Sequence, residues 1–430
     1  FEPGTDHFSN DKYTLYKTEN QFSLRSDFMT EIRLYKDSDR GHWDDYVTRH
    51  ARGTFFHLSN WKEVVEKTFG HKSYYLLAVK ENSKLKTQDS KPAIHNNEPI
   101  KRNVKHETRI QQNETHNTIS FYPVKSNSHL TGASNPNSPV NNIVGVFPIF
   151  SIKSFLFGCS MVSVPFATYG GILSDNEDIR QALYEEAVAI TKKEGLDYLE
   201  IRNESSPLED LPVKDLYHAF KKEIFEDNEE NLKSIPRKTR RMVRQGMKKE
   251  LNASFGSLEL LDQFYGLFAF SYHGFGTPVF SRKYLKNLLE DCKDNCSILI
   301  ISKDEKPLAG VLSFYFRDQV IPYYSGAYPD SRKYAANDYL YWVLMSNAAD
   351  RGCRTFDFGR SKENTGPFHF KRHWGFEPRA LPYQYYLNKT DELPNISPAN
   401  PKYQRHIELW KKLPLWATKI IGPKIVKYIP

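Results

Sequence analysis

The sequence has 430 residues, of which 39% are hydrophobic and 14% aromatic, enough to build globular cores and to exclude wholesale disorder or a collagen-like structure. Lysine and arginine number 60 against 52 acidic residues, which gives a modest net charge of +8. The four cysteines lack an even series of close spacings, so a disulfide scaffold is excluded. No apolar run approaches the length of a membrane span and no export signal is visible at Phe1, so we expect two or three domains of a cytoplasmic protein.

Predicted elements of the first half follow a strand–strand–strand–helix–strand order. The first thirty residues have no clean periodicity and receive no assignment. Apolar runs and helical spacing then predict strands at 74–79, 143–149 and 161–164, a helix at 178–193 ended by Gly195, and a strand at 198–201.

A polar segment interrupts this first half at residues 81–142. Between residues 81 and 120 there is no Phe, Tyr or Trp, and Asn, Gln, Ser, Thr and Lys dominate. Such a composition cannot bury a core, so we expect a mobile insertion between two strands.

The same order of elements recurs in the second half. Strands are predicted at 297–302, 307–316 and 321–325, a helix from 337 to a stop at Gly352, and a strand at 355–358. Gly145 and Gly310 occupy corresponding strands, while Glu200 and Asp357 each follow a helix-ending glycine by five residues. We therefore predict a duplicated unit with an α+β fold, in which helices pack on a mixed, mostly antiparallel sheet.

A basic segment lies between the two repeats. Eight cations and no acid occur between residues 233 and 249, and Pro236 is suited to the first turn of a helix. Spacings of three and four residues place Arg237, Arg240, Arg241 and Arg244 on one face. Two interpretations stay open here: a stripe that binds phosphates, or a solvated helix paired with the acidic run before it.

A second candidate for chemistry follows the last predicted strand. Residues 357–361 read DFGRS, but without an HRD loop or a glycine-rich phosphate loop they do not indicate a kinase. Residues 368–375 (FHFKRHWG) combine aromatics, glycine and cations, which suits an anionic ligand or a developing oxyanion. The residues alone favour a terminal β-hairpin with core aromatics and exposed cations.

Other candidate sites carry weaker signals. The cysteines lack metal-ligand spacing, so no metal site is predicted, and the loop at 274–278 reads as a turn rather than part of a pocket. His57 and His71 flank Trp61, where a buried structural role is commoner than a catalytic one. Residues 409–425 combine apolar residues at helical spacing with lysines, and no acid follows Glu408. This pattern favours packing of the apolar side on the second domain, and the alternative is contact with an anionic membrane surface.

Several motifs, taken in order, resemble one known family. They are FHLSNW at 56–61, FGH at 69–71, YGG at 169–171, the basic helix, GTP at 276–278, DFGRS at 357–361 and FKRHWG at 370–375. Together they resemble the FemAB-like proteins, most closely the branch associated with the exosortase/PEP-CTERM system. The resemblance implies two tandem GNAT-like (acyl-CoA N-acyltransferase) domains at 30–205 and 206–390, the second beginning with the basic helix, and a basic tail at 391–430.

The family resemblance also implies a reaction, namely transfer of an acyl or aminoacyl group to an amine, such as one on a peptidoglycan precursor. The family's Phe-Lys motif falls on Phe370 and Lys371, which makes Lys371 the candidate to stabilise the oxyanion, with Asp357 and Arg360 in the same cleft. The other expected contacts are with substrate at Tyr324, Asn337, Trp374, His71 and Tyr169, and with phosphates at Arg237, Arg240, Arg241 and Arg244.

The donor and the partners implied by the resemblance remain alternatives. The donor is aminoacyl-tRNA or acyl-CoA, although residues 330–336 (DSRKYAA) lack the glycine-rich pattern with which ordinary GNAT enzymes hold the CoA pyrophosphate. The acceptor is an amine on a lipid-linked envelope precursor, and the tail offers a peripheral membrane contact. Other functions considered are a non-catalytic protein that binds RNA or an acidic partner, and a plain CoA-dependent N-acyltransferase.

Overall fold

A computed structural model of the protein describes residues 23–24, 30–80, 142–154, 157–205, 207–395 and 401–429. The insertion predicted at 81–142 lies outside these described residues, except for Asn142, which begins a strand. Most of the unassigned first thirty residues also lie outside them.

Strands and helices alternate along the described chain much as the hydrophobic pattern predicts. The strands are β1 (Ser23–Leu24), β2 (Thr30–Leu34), β3 (Lys72–Lys80), β4 (Asn142–Ser154), β5 (Gly158–Ser163), β6 (Leu173–Ser174), β7 (Tyr198–Ile201), β8 (Val213–Glu223), β9 (Asn252–Gly256), β10 (Cys296–Lys303), β11 (Lys306–Phe316), β12 (Gln319–Ala327), β13 (Thr355–Lys362) and β14 (Pro378–Leu387). The helices are α1 (Arg40–Arg49), α2 (Ser59–Phe69), α3 (Glu177–Lys193), α4 (Asn228–Ser234), α5 (Arg237–Met247), α6 (Leu261–Phe275), α7 (Arg282–Asp291), α8 (Ala336–Asp350), α9 (Gly366–His373), α10 (Pro401–Lys412) and α11 (Leu415–Val426).

The strands form one mixed sheet whose two halves repeat the same topology. In the first half β3, β4 and β5 are antiparallel neighbours and β7 runs parallel to β5. In the second half β10, β11 and β12 are antiparallel neighbours and β13 runs parallel to β12. A single long helix, α3 or α8, lies between the parallel strands of each half. The predicted α+β architecture with a duplicated unit is therefore confirmed.

The two halves meet through strands that cross from one half to the other. β8, which follows the first repeat, pairs with β13 of the second, whereas β14, which follows the second repeat, pairs with β7 of the first. β8 and β14 pair with each other at the centre of the sheet. The segments 30–205 and 206–390 thus share one continuous sheet, and residues from both surround its centre.

The corresponding glycines Gly145 and Gly310 each allow a helix to approach the sheet closely. A Cβ on Gly145 would lie 2.7 Å from a methyl carbon of Ile179 in α3, and one on Gly310 would lie 3.1 Å from a methyl carbon of Leu267 in α6. The approaching helices are therefore not equivalent in the two repeats. α6 had no counterpart in the sequence prediction.

His57 has a structural role, as the sequence favoured. Its Nδ1 lies 2.8 Å from the hydroxyl of Thr54 and its Nε2 lies 3.0 Å from the carbonyl oxygen of Gly171. Burial lowers the pKa of His57 to about 4, so the imidazole is neutral at physiological pH. It joins the chain segment before α2 to the turn at 169–171.

Candidate active site

A large cavity opens where the parallel strands β12 and β13 separate. These strands pair only at Gln319 with Thr355 and at Val320 with Phe356, after which each continues with a different neighbour. The cavity between them has a volume of about 920 Å³. Its walls come from β7, β8, β12, β13 and β14, with α6, α8, α9 and α11 around them.

Lys371 reaches this cavity from α9, not from the β-hairpin that the residues alone favoured. The hairpin prediction is wrong because residues 366–373 form a helix with Pro367 in its first turn, which places Phe368 and Lys371 on one buried face. The Lys371 ammonium donates hydrogen bonds to the carbonyl oxygens of Arg360 (3.0 Å) and Gly359 (3.4 Å). The side chain is therefore held with its charge at the cavity wall.

The electrostatic surroundings of Lys371 shift its equilibrium toward the neutral amine without removing the charged form. Burial lowers its pKa to about 7, the nearby Arg360 adds to this effect, and Asp357 opposes it. A negative charge arriving in the cavity would restore the ammonium form, because the carbonyl oxygens already accept its protons. Lys371 can thus respond to charge that develops during a reaction.

Arg360 lies on β13 and lines the cavity. Its guanidinium donates to the hydroxyl oxygen of Tyr383 at 2.9 Å and lies 4.4 Å from the ring centre of Tyr217. A register shift between Asp357 and Arg360, opposite β8, turns the Arg360 side chain into the cavity. The aromatic neighbours fix the orientation of this cation.

Further cations line the same cavity, and sequence reasoning missed them. Lys362 follows Arg360 along β13, and burial together with Arg360 and Lys214 lowers the pKa of Lys362 to about 8. Burial also lowers the pKa of Lys214 on β8. Like charges crowded in this way favour an anionic ligand, because an anion would relieve their mutual repulsion.

Arg202 on the first repeat was also missed, although it stands two residues after Glu200, which the sequence singled out. It is 2% exposed and its Nε donates to a carboxylate oxygen of Glu200 at 2.7 Å. It also donates to the carbonyl oxygen of Ala167 at 2.9 Å. Each repeat therefore places an arginine at the cavity: Arg202 directly after β7 and Arg360 within β13.

Asp357, predicted to be catalytic, does not line the cavity. It is fully buried, and its Oδ1 accepts hydrogen bonds from the backbone N–H of Gly359 (2.7 Å) and from the hydroxyl of Tyr169 (3.2 Å). Burial raises its pKa, while Lys221, 3.6 Å from Oδ2, opposes that shift. Asp357 thus fixes the left-handed turn at Gly359, whose φ is 64° and whose carbonyl accepts from Lys371.

The remaining predicted substrate contacts divide into two groups. Phe370, Tyr324 and Asn337 line the cavity. Tyr169 lies behind it with Asp357, Trp374 is fully buried, and His71 lies elsewhere, with its Nε2 2.7 Å from the carbonyl oxygen of Lys427.

The predicted phosphate-binding arginines form helix α5, which begins after Pro236 as expected. Arg237, Arg241 and Arg244 are exposed and Arg240 is half-buried, and none of them lines the cavity. In the part of the chain that the structure describes, no carboxylate oxygen lies within 4.0 Å of these guanidinium groups. Acids of the preceding run pair elsewhere, Glu229 with Lys233 at 4.0 Å and Glu226 with Arg354 at 3.1 Å.

The turn before α8 differs from a glycine-rich phosphate loop. Residues 329–334 form a short 3₁₀ turn, and Ala335 has the left-handed backbone (φ 51°) that glycine usually adopts. α5 packs against the end of this turn and the start of α8, because a Cβ on Gly246 would lie 3.2 Å from the carbonyl oxygen of Ala335 and 2.7 Å from the Cβ of Tyr339. Asn337, in the first turn of α8, faces the cavity.

The residues that the structure describes contain no group of three or more His, Cys, Asp or Glu side chains placed to hold a metal ion. Within the same ranges, no helix is both long and apolar enough to cross a membrane.

Comparison with known proteins identifies the fold. Residues 232–372 match the family described as "Acetyltransferase (GNAT) domain", and no curated protein matches the sequence. The solved structure of FemX is similar over 88% of this chain and 100% of its own, with a TM-score of 0.56 and 13% identity. A tandem GNAT protein from the clavulanic acid biosynthesis pathway matches 84% of this chain and 100% of its own (TM-score 0.45, 9% identity). A conserved protein of unknown function from Bacteroides thetaiotaomicron VPI-5482 matches 83% of this chain and 99% of its own (TM-score 0.47, 10% identity). The chain therefore has a GNAT-like fold with a mixed sheet, and about a third of its length matches the model of a GNAT acetyltransferase domain.

Proposed function

We propose that the protein is an N-acyltransferase of the FemAB type, which moves an acyl or aminoacyl group from an activated donor to an amine on a cell-envelope precursor. The observation that carries this proposal is the position of Lys371, a buried lysine held by two backbone carbonyls at the wall of a cation-lined cavity in the GNAT domain. The order of the sequence motifs further suggests the exosortase/PEP-CTERM-associated branch, and we propose that the reaction takes place in the cytoplasm.

The proposed reaction needs one amine, one activated acyl carbonyl and a stabilised tetrahedral intermediate. The amine nitrogen attacks the carbonyl carbon, a C–N bond forms, and the bond to the leaving oxygen or sulfur breaks. The amine loses one proton and the leaving group gains one. During the attack the carbonyl oxygen becomes an oxyanion, and the Lys371 ammonium stabilises it.

The other cavity residues have binding and positioning roles in this scheme. Arg360, Lys362 and Lys214 provide the positive charge that an anionic donor or acceptor requires. Phe370 and Tyr324 supply apolar walls that orient the reacting groups. Asp357 is a positioning residue, since it acts on the cavity only through the Gly359 turn.

Two activated donors fit the chain for different reasons. The exposed arginine stripe of α5 is suited to the phosphates of a charged tRNA. A GNAT domain is suited to an acyl-CoA, although the turn before α8 lacks the glycine-rich pattern of ordinary CoA enzymes. Both donors deliver an activated carbonyl, so the chemistry at Lys371 is the same.

The experiment is a donor screen with mass detection of the acylated amine. Purified protein is incubated with charged tRNAs or acyl-CoAs and with UDP-linked or lipid-linked peptidoglycan precursors. Productive transfer from one donor class, reduced by about two to three orders of magnitude in Lys371→Ala, supports the proposal. Arg372→Ala is the matched control, because Arg372 is the next residue of α9 and is exposed. Tight RNA binding without turnover from any donor would instead favour the non-catalytic alternative.

A further inference from the structure

One side of the C-terminal helices α10 and α11 packs on the rest of the molecule. Trp410, Ala417 and Val426 are buried. The carbonyl oxygen of Leu413, between the two helices, accepts a hydrogen bond from Nε2 of His273 in α6 at 2.9 Å. These contacts agree with the packing that the sequence favoured for the apolar side of the tail.

The other side of the same helices carries apolar side chains in solvent. Among the described residues, the four most exposed large hydrophobic side chains are Phe275 and Trp416 (67% each), Leu409 (62%) and Ile420 (58%). Trp416 and Ile420 are four residues apart in α11 and so share one face. We call these four side chains the tail surface.

Phe275, the last residue of α6, belongs to this surface because the tail lies against the end of that helix. A Cβ on the next residue, Gly276, would lie 2.5 Å from a methyl carbon of Ile407 and 3.0 Å from a side-chain carbon of Lys411. The tail surface therefore combines two consecutive helices with the end of a third.

Lysines accompany the exposed apolar side chains. Lys411, Lys412 and Lys424 are exposed, and Lys424 lies four residues after Ile420 on the same face of α11. No acidic residue follows Glu408 in the sequence. We propose that the tail surface docks on an anionic lipid bilayer, with its apolar side chains at the acyl boundary and its lysines at the negatively charged headgroups.

Charge complementarity selects the bilayer over a second copy of this chain. A twofold contact would bring the same patch from both copies together, so the lysines of one copy would face those of the other. An anionic lipid surface instead satisfies both the lysines and the exposed tryptophan, a residue that prefers the membrane–water interface.

The tail surface adjoins the cavity of the candidate active site. Phe275 belongs to both, and Val426 and Ile429 at the end of the tail line the cavity as well. Docking would therefore bring the apolar side of the cavity close to the bilayer. For the proposed acyl transfer, this geometry favours a lipid-linked substrate. That preference rests on the proposed function, whereas the docking itself is independent of the proposed function.

Co-sedimentation of the full chain with vesicles tests the docking. We expect binding to vesicles that contain phosphatidylglycerol, weaker binding at high salt, and little binding to pure phosphatidylcholine. Trp416→Ser with Ile420→Ser should weaken binding at least tenfold. Lys411→Glu with Lys412→Glu should weaken it about 25-fold or more, since each cation near an anionic surface strengthens binding about fivefold.

Matched controls lie elsewhere on the surface. Leu34→Ser and Leu258→Ser replace exposed leucines, and Lys248→Glu with Lys249→Glu reverses two exposed lysines with the same change in net charge. These variants should bind like the wild type.

Several results would overturn the docking. One is vesicle binding by the tail variants that equals that of the wild type. Another is a loss of binding in the control variants as large as in the tail variants, and a third is wild-type binding to neutral vesicles that equals binding to anionic ones. A different outcome would assign the surface to a second copy of the chain. In that case the wild type would not bind vesicles, and light scattering would detect self-association that the double variant Trp416→Ser with Ile420→Ser loses. Because vesicle binding is measured without turnover, its failure would leave the proposed acyl transfer untouched.

Discussion

Replacing Lys371 by methionine should stabilise the fold by an amount that depends on pH. Methionine keeps a long, flexible side chain in the cavity wall but removes the buried ammonium. In the folded protein the pKa of Lys371 is lowered from 10.5 to about 7, chiefly by burial. At about 1.4 kcal/mol per pKa unit, protonated Lys371 costs the fold roughly 5 kcal/mol.

The pH dependence follows from the protons that each state binds. Below about pH 7 both states hold the Lys371 proton, so the full cost is present. Between about pH 7 and pH 10.5 only the unfolded state holds it, so the stability of the wild type rises with pH. The advantage of Lys371→Met over the wild type should therefore shrink by roughly 3 kcal/mol between about pH 6 and pH 9. Loss of the two hydrogen bonds to backbone carbonyls reduces this advantage by about 1–3 kcal/mol at every pH.

Urea unfolding of the wild type and Lys371→Met at several pH values measures this difference directly. Other titrating groups are common to both proteins and cancel in the comparison. Arg372→Met is the control, since this exposed neighbour should give a pH-independent difference near zero. A difference for Lys371→Met that stays constant with pH, or grows as pH rises, would refute the argument.

Three further predictions concern other parts of the chain. Deleting residues 83–137 and joining the ends with a short linker should change the melting temperature by less than about 2 °C, because the strand ends on either side pair with each other; a large drop in a thermal melt would contradict this. Arg202→Met should lower the free energy of unfolding by about 3–5 kcal/mol, because it leaves the Glu200 carboxylate buried without its cation, and adding Glu200→Gln should restore most of the loss in urea titrations. Equal stability of the single and double variants would exclude this coupling. Arg241→Glu with Arg244→Glu should leave the melting temperature unchanged. The slope of the logarithm of the tRNA binding constant against the logarithm of the salt concentration should become shallower by about one to two. An unchanged slope would mean that α5 makes no phosphate contacts.

Much of the fold follows from local pattern. The helix predicted at 178–193 spans Glu177–Lys193, and the strand predicted at 198–201 has those bounds. Local pattern was sufficient there because α3 buries one face at the helical period, and because β7 is a short, fully buried run that closely follows Gly195. Helix α6 was missed because its residues 261–275 are apolar on most sides and show no helical period.

Helix α9 was misread for a related reason. Phe368 and Phe370 alternate as they would in a strand, whereas the helix start at Thr365 and Pro367 is the more informative signal. The helix decides which side chain is buried, and so it brings Lys371 to the cavity wall. The importance of Lys371 came from the family resemblance and not from its local pattern.

The rest of the site depends on pairing between distant segments. Lys214 and Arg202 meet the residues of β13 only because β8 and β14 cross between the two halves of the sheet. No local pattern encodes that exchange. Asp357 was expected in the cavity, but the register shift after it turns Arg360 inward and leaves the carboxylate in the core.

The most direct test of the account is the pH dependence of kcat/KM in the wild type and in Lys371→Arg, measured with the donor that supports transfer. The ratio of the two rates cancels the ionisation of the amine substrate. Arginine stays charged throughout, while Lys371 has a pKa of about 7 in the free protein. If the Lys371 ammonium stabilises the oxyanion, the ratio of wild type to variant falls as pH rises through about 7 to 8. A ratio that is flat or rises over this range would contradict the assignment.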